Sequence, residues 1–185
     1  MPSPSLPLFR SLAGVGAALA AFFLAGCATD SNSANMAATP LAPVAKHAAS
    51  VSVTVTGGSA TSSLDTSTIG NADFAEAIKA SISKSGLFAR LAADGPSADY
   101  QLEAVIVRVD QPEIGLAMTA TVEVKWTLTR TSNQWVAWQK SIVSSHTTKA
   151  GEAFEGPDRL RLANEGAARG NIQDALAQIG AAELP

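Results

Sequence analysis

The sequence predicts an α+β fold: a two-layer sandwich of about four mainly antiparallel strands with two helices on one face, in the order β-α-β-β-β-α. Three observations carry this. Met118, Ala120, Val122, Val124, Trp126 and Leu128 alternate with polar residues, the period of a strand with one dry face. Phe74, Ile78 and Ile82 fall four apart and make one stripe of a helix. Near the C-terminus, Ile172, Leu176 and Ile179 close the apolar stripe of a second helix.

The first strand is read from Val51, Val53 and Val55, which alternate with Ser and Thr as far as Gly57-Gly58. Residues 59–70 read as a long loop. Asn71 is placed to cap the first helix, with Asp73 and Glu76 near its positive end. Lys84 sits in the last turn, and Gly86 suits a left-handed stop. Leu87 and Phe88 are expected to tuck back onto the core. In the next strand Tyr100, Leu102, Ala104 and Ile106 are apolar on one phase, and Val105, Val107 and Val109 on the other. Such a swap needs either a bulge or a strand covered on both faces at one end.

A turn at Gln111-Pro112-Glu113 leads to the long alternating strand. Its wet face carries Thr119, Thr121, Glu123, Lys125, Thr127 and Thr129. Residues 131–134 turn the chain into a strand from Trp135 to Ser145. There Val136, Trp138 and Ile142 are expected on one side, with Ala137 and Val143 on the other. After a loop at 147–156, Pro157 or Asp158 opens the second helix. Ala163, Gly166, Ala167 and Gly170 give that helix a small-residue side able to approach the sheet closely, and Gly180 is placed to end it.

The chain starts differently. One basic residue, Arg10, precedes an apolar run from Leu12 to Leu24, the layout of a secretory signal. The run is short for a spanning helix, which needs about 20 apolar residues. The stretch that closes it, Leu24-Ala25-Gly26-Cys27, resembles the lipobox of bacterial lipoproteins. The resemblance implies that Cys27 receives a diacylglycerol, that the chain is cut after Gly26, and that the new amino terminus is acylated. Ala28, rather than Asp, after the cysteine implies the outer membrane and its inner leaflet. Residues 28–48, rich in Ala, Ser, Asn and Pro, read as a disordered tether reaching ~25 Å on average and ~70 Å when extended. Three regions follow: a signal peptide over 1–26, a lipidated flexible tether over 27–48 and a globular α+β domain over 49–185.

Bulk properties exclude several classes. Of the 13 basic residues only Arg10 lies in the removed part, so the mature chain has 12 basic and 16 acidic residues and a net charge of −4. Without a basic patch, nucleic acid is not an expected partner, and membrane attachment must come from acyl chains. Cys27 is the only cysteine, so a lipidated chain has no thiol for a disulfide, a nucleophile or a metal. The two histidines, His47 in the tether and His146 at a strand end, have no carboxylate at ligand spacing, so no metal or cofactor is expected. No Ser lies in G-x-S-x-G. Asp110, Glu113 and His146 are the polar groups from which an enzymatic site would have to be assembled.

Two surfaces are candidates for a partner. Trp135, at the turn end of its strand, offers an aromatic contact. Thr121, Glu123, Lys125 and Thr127 on the wet face suit pairing or ligand contact. The lipobox, the tether, the Ser85-Gly86-Leu87-Phe88 helix end and the Ala98-Asp99-Tyr100 start of the next strand together resemble small envelope lipoproteins with an α/β-sandwich domain. That group includes the lipopolysaccharide-transport lipoprotein and the auxiliary lipoproteins of intermembrane lipid-transport systems. The resemblance implies a non-enzymatic, lipid-anchored protein of the outer membrane whose domain faces the periplasm. It would act as a binding component of an envelope transport or assembly machine, with a protein or lipid partner. A subunit of an oligomeric secretion or surface assembly, and an enzyme acting on envelope substrates, are the alternatives; the sequence leaves the oligomeric state open.

Overall fold

A computed structural model describes residues 31–39, 46–59, 68–93, 97–111 and 115–184. They form α1 (Ser33–Met36), β1 (His47–Thr56), α2 (Asn71–Ser85), β2 (Phe88–Leu91), β3 (Tyr100–Asp110), β4 (Met118–Arg130), β5 (Trp135–Thr148) and α3 (Gly156–Gly180). The α+β class is as the sequence predicts, but the sheet is larger and mixed. Five strands lie in the order β2-β1-β3-β4-β5. β1 runs parallel to both β2 and β3, while β3, β4 and β5 are antiparallel. The missed strand is β2. Leu87 and Phe88 do turn onto the core, and both are buried, but the chain then continues along β1 for four residues. A four-residue strand is too short to show an alternation.

Both long helices cover the same face of the sheet. Phe74 of α2 stands 6.0 Å from Trp126, ring to ring, and the Trp126 indole donates to Asn171 of α3 at 2.8 Å. Trp126 is therefore the point where both helices and β4 meet, and it is fully buried. The dry stripe of β4 is as expected: Met118, Ala120, Val122, Val124, Trp126 and Leu128 are all buried. Gly86 ends α2 at φ 63°, in the left-handed region that glycine enters without cost.

Bulges set the phases of β3 and β5. The β3–β4 register shifts between Ile106 and Arg108, so a bulge at Val107 explains the swap of apolar phase. In β5 the register jumps from Leu128↔Trp138 to Thr129↔Val136, which makes Ala137 an extra residue. That corrects the expected faces. Val136 shares the open face with Thr129, and Trp135, opposite Arg130, returns to the helix side with Trp138.

Two further expectations are corrected. Asn71 does not cap α2; Gly70 is the N-cap, and the Asn71 side chain accepts from the Gly58 amide at 2.8 Å. The second correction concerns the tether expected over 28–48, whose described residues 31–39 do not run free. Residues 31–39 lie between α2 and α3, with Met36 and Ala38 fully buried, and His47 opens β1 instead of lying in the tether. Short Ala- and Asn-rich segments carry little hydrophobic signal, yet one Met inserted between two helices contributes about 2 kcal/mol. Among the described residues no helix is long and apolar enough to cross a membrane.

Candidate functional site

Leu24, Ala25, Gly26 and Cys27 lie outside the described residues. The remaining sequence-predicted site divides between two faces of the domain. Thr121, Glu123, Lys125 and Thr127 do come together, along the face of β4 that no described helix covers. Pairing in the sheet sets their neighbours. Thr121 lies opposite Asp110 and Ser145, Glu123 opposite Arg108 and Val143, Lys125 opposite Val105 and Ser141, and Thr127 opposite Glu103 and Gln139.

Hydrogen bonds tie this face together. The hydroxyls of Thr119 and Thr147 are 2.8 Å apart, as are those of Thr121 and Ser145. Ser141 donates to Glu123 at 2.9 Å, and the Gln139 amide donates to the Thr127 hydroxyl at 3.0 Å. Arg108 bridges Asp110 at 3.0 Å and Glu123 at 3.6 Å. Both ion pairs are half exposed and contribute little to stability. They do fix the carboxylates in place. Val136 and Val143 stand exposed among these polar groups. The result is a flat, cross-linked surface that offers hydroxyl and amide groups with apolar patches between them, chemistry suited to a protein partner.

Trp135 does not join this face. It stands at the opposite side of the sheet, at the end formed by the start of β3 and the β4–β5 turn, and is exposed. That end holds an open groove of about 930 Å³ lined by Lys46, His47, Asp99, Tyr100, Arg130 and Leu184, among others. Arg130 lies over the Tyr100 ring at 5.9 Å, within cation–π range. The His47 ring nitrogen Nε2 sits 3.2 Å from the Ile179 carbonyl oxygen, and its ring stacks obliquely on Phe88.

Asp99 is the structural pivot of the groove. Its Oδ2 accepts from the Ser50 hydroxyl at 2.6 Å and the Ser50 amide at 2.7 Å. Chiefly the hydroxyl bond, then the amide bond, hold its carboxyl below the usual carboxylate range. Sequence reasoning missed Asp99 and Ser50 as a pair. They are 49 residues apart, and only the parallel pairing of β1 with β3 brings them together.

The groups from which an enzymatic site would be assembled do not converge. Asp110 is on the open face opposite Thr121, whereas His146, opposite the buried Ala120, is on the helix side against Gly166. Glu113 lies outside the described residues. No group of three or more His, Cys, Asp or Glu able to hold a metal occurs among the described residues.

A buried carboxylate that the sequence reading did not single out organises the N-terminal segment. Glu165, 1% exposed, accepts from the Asn32 amide at 2.8 Å through Oε1 and from the Asn35 side chain at 3.0 Å through Oε2. Arg161 pairs with the same carboxylate at 3.0 Å, and Arg169 donates to the Asn35 carbonyl at 2.8 Å.

No family model and no curated protein matches the sequence. Solved structures do share the fold. The Xanthomonas campestris protein XCC0632, of the DUF330 family, superposes with a TM-score of 0.60 at 14% identity, over 76% of this chain and 89% of its own. The Chlamydia trachomatis protein CT253 gives 0.50 at 12% identity, over 73% of this chain and 99% of its own. A minor lipoprotein of Acinetobacter baumannii gives 0.46 at 10% identity, over 71% of this chain and 92% of its own. For the first two, at these identities, the likeness is one of fold.

Proposed function

We propose that this protein is a lipid-anchored lipoprotein of the bacterial cell envelope. Its domain serves as a non-enzymatic binding component of a transport or assembly system, on the periplasmic side of the outer membrane. The observation that carries the binding role is the open face of β3, β4 and β5, where Thr121, Glu123, Lys125 and Thr127 form one rigid surface. The Leu24–Cys27 lipobox supports the anchor, and the separation of Asp110 from His146 weighs against a catalytic assembly. The narrower reading, an accessory of lipid or lipopolysaccharide transport, rests on the resemblance of the SGLF and ADY segments.

The test is photo-cross-linking in intact cells. A photoreactive residue at Thr121, Lys125 or Thr127 should capture one defined envelope protein, and the same residue at Glu76, exposed on α2, should not. Equal labelling at all four positions, or none, would refute the open face as a docking surface. A second reading, a self-assembling subunit, is favoured by β5, a 14-residue strand at the edge of the sheet, with no further strand beside it among the described residues. Capture of a second copy of this chain through the open face would support it.

A further inference from the structure

The described chain begins at one end of the sandwich. Ser31 donates its hydroxyl to the Thr68 carbonyl at 2.9 Å, just before α2 starts. The segment then runs beside α2 toward its far end, where the Ala38 amide reaches the Ser81 hydroxyl at 2.8 Å. The end at which Ser31 stands is built from the last residues of β1, β3 and β5 and the first of β4, α2 and α3. Several contacts tie it together: Gly57 and Gly58 lie against Ile106, Thr148 faces Met118, and Gly156 approaches Met118.

That end also carries the two most exposed large apolar side chains of the described surface, Leu116 at 80% and Phe154, fully exposed. Leu116 lies two residues before β4, and Phe154 two residues before α3. Phe154 is held out by its loop, not merely left out. The Arg159 guanidinium donates to the Ala153 and Phe154 carbonyls at 3.0 and 2.9 Å and fixes the backbone that presents the ring. A lone exposed Leu means little, but two at one end, one on a braced loop, are unusual for a surface facing only water.

Chain length decides what faces them. Three residues separate Cys27 from Ser31, and the four steps between them span at most ~14 Å. β4 alone, at 13 residues, extends ~43 Å, so the groove around Asp99 stands far from the anchor. Because Glu165 clamps Asn32 and Asn35, the ~70 Å reach expected of a free tether is not available.

We propose that the end bearing Leu116 and Phe154 rests in the headgroup layer of the bilayer that holds the Cys27 acyl chains. The open face of the sheet then stands upright beside the membrane and the groove points away from it. The partner is phospholipid, met by apolar side chains. Glu152, Glu155 and Asp158 flank Phe154, so attraction to anionic lipid is not the driving force. This orientation rests on the lipoprotein reading.

The experiment uses the full-length, acylated protein in vesicles of phosphatidylethanolamine and phosphatidylglycerol. Acylation consumes the thiol of Cys27, so Leu116→Cys, Phe154→Cys and, at the opposite end, Ser132→Cys each carry a single free thiol for a fluorophore. Lipid carrying a nitroxide at headgroup depth is the quencher, and flotation reads attachment separately. Interfacial side chains sit ~5–10 Å into the headgroup boundary, so labels at 116 and 154 should be quenched at least about twofold and the label at 132 hardly at all. If the protein floats but 116 and 154 are no more quenched than 132, the orientation is overturned while the anchor stands. If it does not float and Cys27 remains a free thiol, the lipoprotein reading fails and the orientation falls with it.

Discussion

Gly166 is the position where a single methyl group tests the helix–sheet contact most sharply. A Cβ there would stand 2.8 Å from His146 Nε2 and closer still to Cγ and Cδ2 of the same ring. Carbon atoms in contact prefer ~3.5–4.0 Å, so the imidazole or α3 would have to move by ~1 Å. Overpacking of this kind costs about 1–3 kcal/mol, and three close atoms place Gly166→Ala in the upper part of that range. Replacing a helical glycine by alanine recovers about 1 kcal/mol through propensity. The net loss expected is ~1–2 kcal/mol. In a His146→Ala background the clash is gone and only the propensity gain remains, so the same substitution should stabilise by ~1 kcal/mol. The coupling energy is then ~2–3 kcal/mol, well above the ~0.5 kcal/mol scatter of independent sites. Urea unfolding of the four proteins, followed by tryptophan fluorescence, measures it. Thermal midpoints should show it as a difference of ~4–12 °C. A Gly166→Ala protein as stable as the parent, with coupling near zero, would refute the close approach of α3 to β5.

Three more predictions concern hydrogen-bonded polar groups and the N-terminal segment. Asn171→Ala leaves the Trp126 indole N–H buried without its acceptor and also frees the Ile142 carbonyl and the Ser144 hydroxyl. It should cost ~2–4 kcal/mol in urea unfolding, and a loss below ~1 kcal/mol would show that the network is dispensable. Met36→Ala should destabilise by ~2–4 kcal/mol and make residues 31–39 accessible to protease in the folded protein; an unchanged cleavage pattern would mean that Met36 does not hold the segment. Asp99 titrates lower in the folded chain than in the unfolded one, so its contribution is complete above its ordinary value near pH 4 and is lost as pH falls through the lower folded value. Thermal midpoints of Asp99→Asn against pH should therefore show a flatter acid limb than the parent, and parallel limbs would argue against the Ser50 bonds.

Much of this fold is legible in the sequence wherever a period is long enough to read. Twelve residues of strict alternation fix β4 and its dry face, and the four-residue spacing of Phe74, Ile78 and Ile82 fixes α2. Gly166 announces close helix–sheet contact because nothing else in an interior turn of an amphipathic helix needs a glycine. The bulge in β3 is visible as a change of phase. The one at Ala137 is not, because Trp135, Val136, Ala137 and Trp138 are apolar in succession and give no phase to break. β2 and α1 have four residues each, too few for any period, and their places are set by tertiary contact. The open-face residues are legible for the same reason as β4. Asp99 with Ser50, and Glu165 with Asn32, are not, because long-range pairs leave no local pattern.

The clamp on the N-terminal segment joins residues 133 apart in the chain. Closing a loop of that length costs about 4 kcal/mol of chain entropy, which local contacts cannot recover until both sides exist. Asn32 cannot find its carboxylate before α3, the final element of the chain, has formed over β4 and β5. Folding therefore has a direction in space as well as in time. The earliest described residues of the domain are secured only once the last helix is in place.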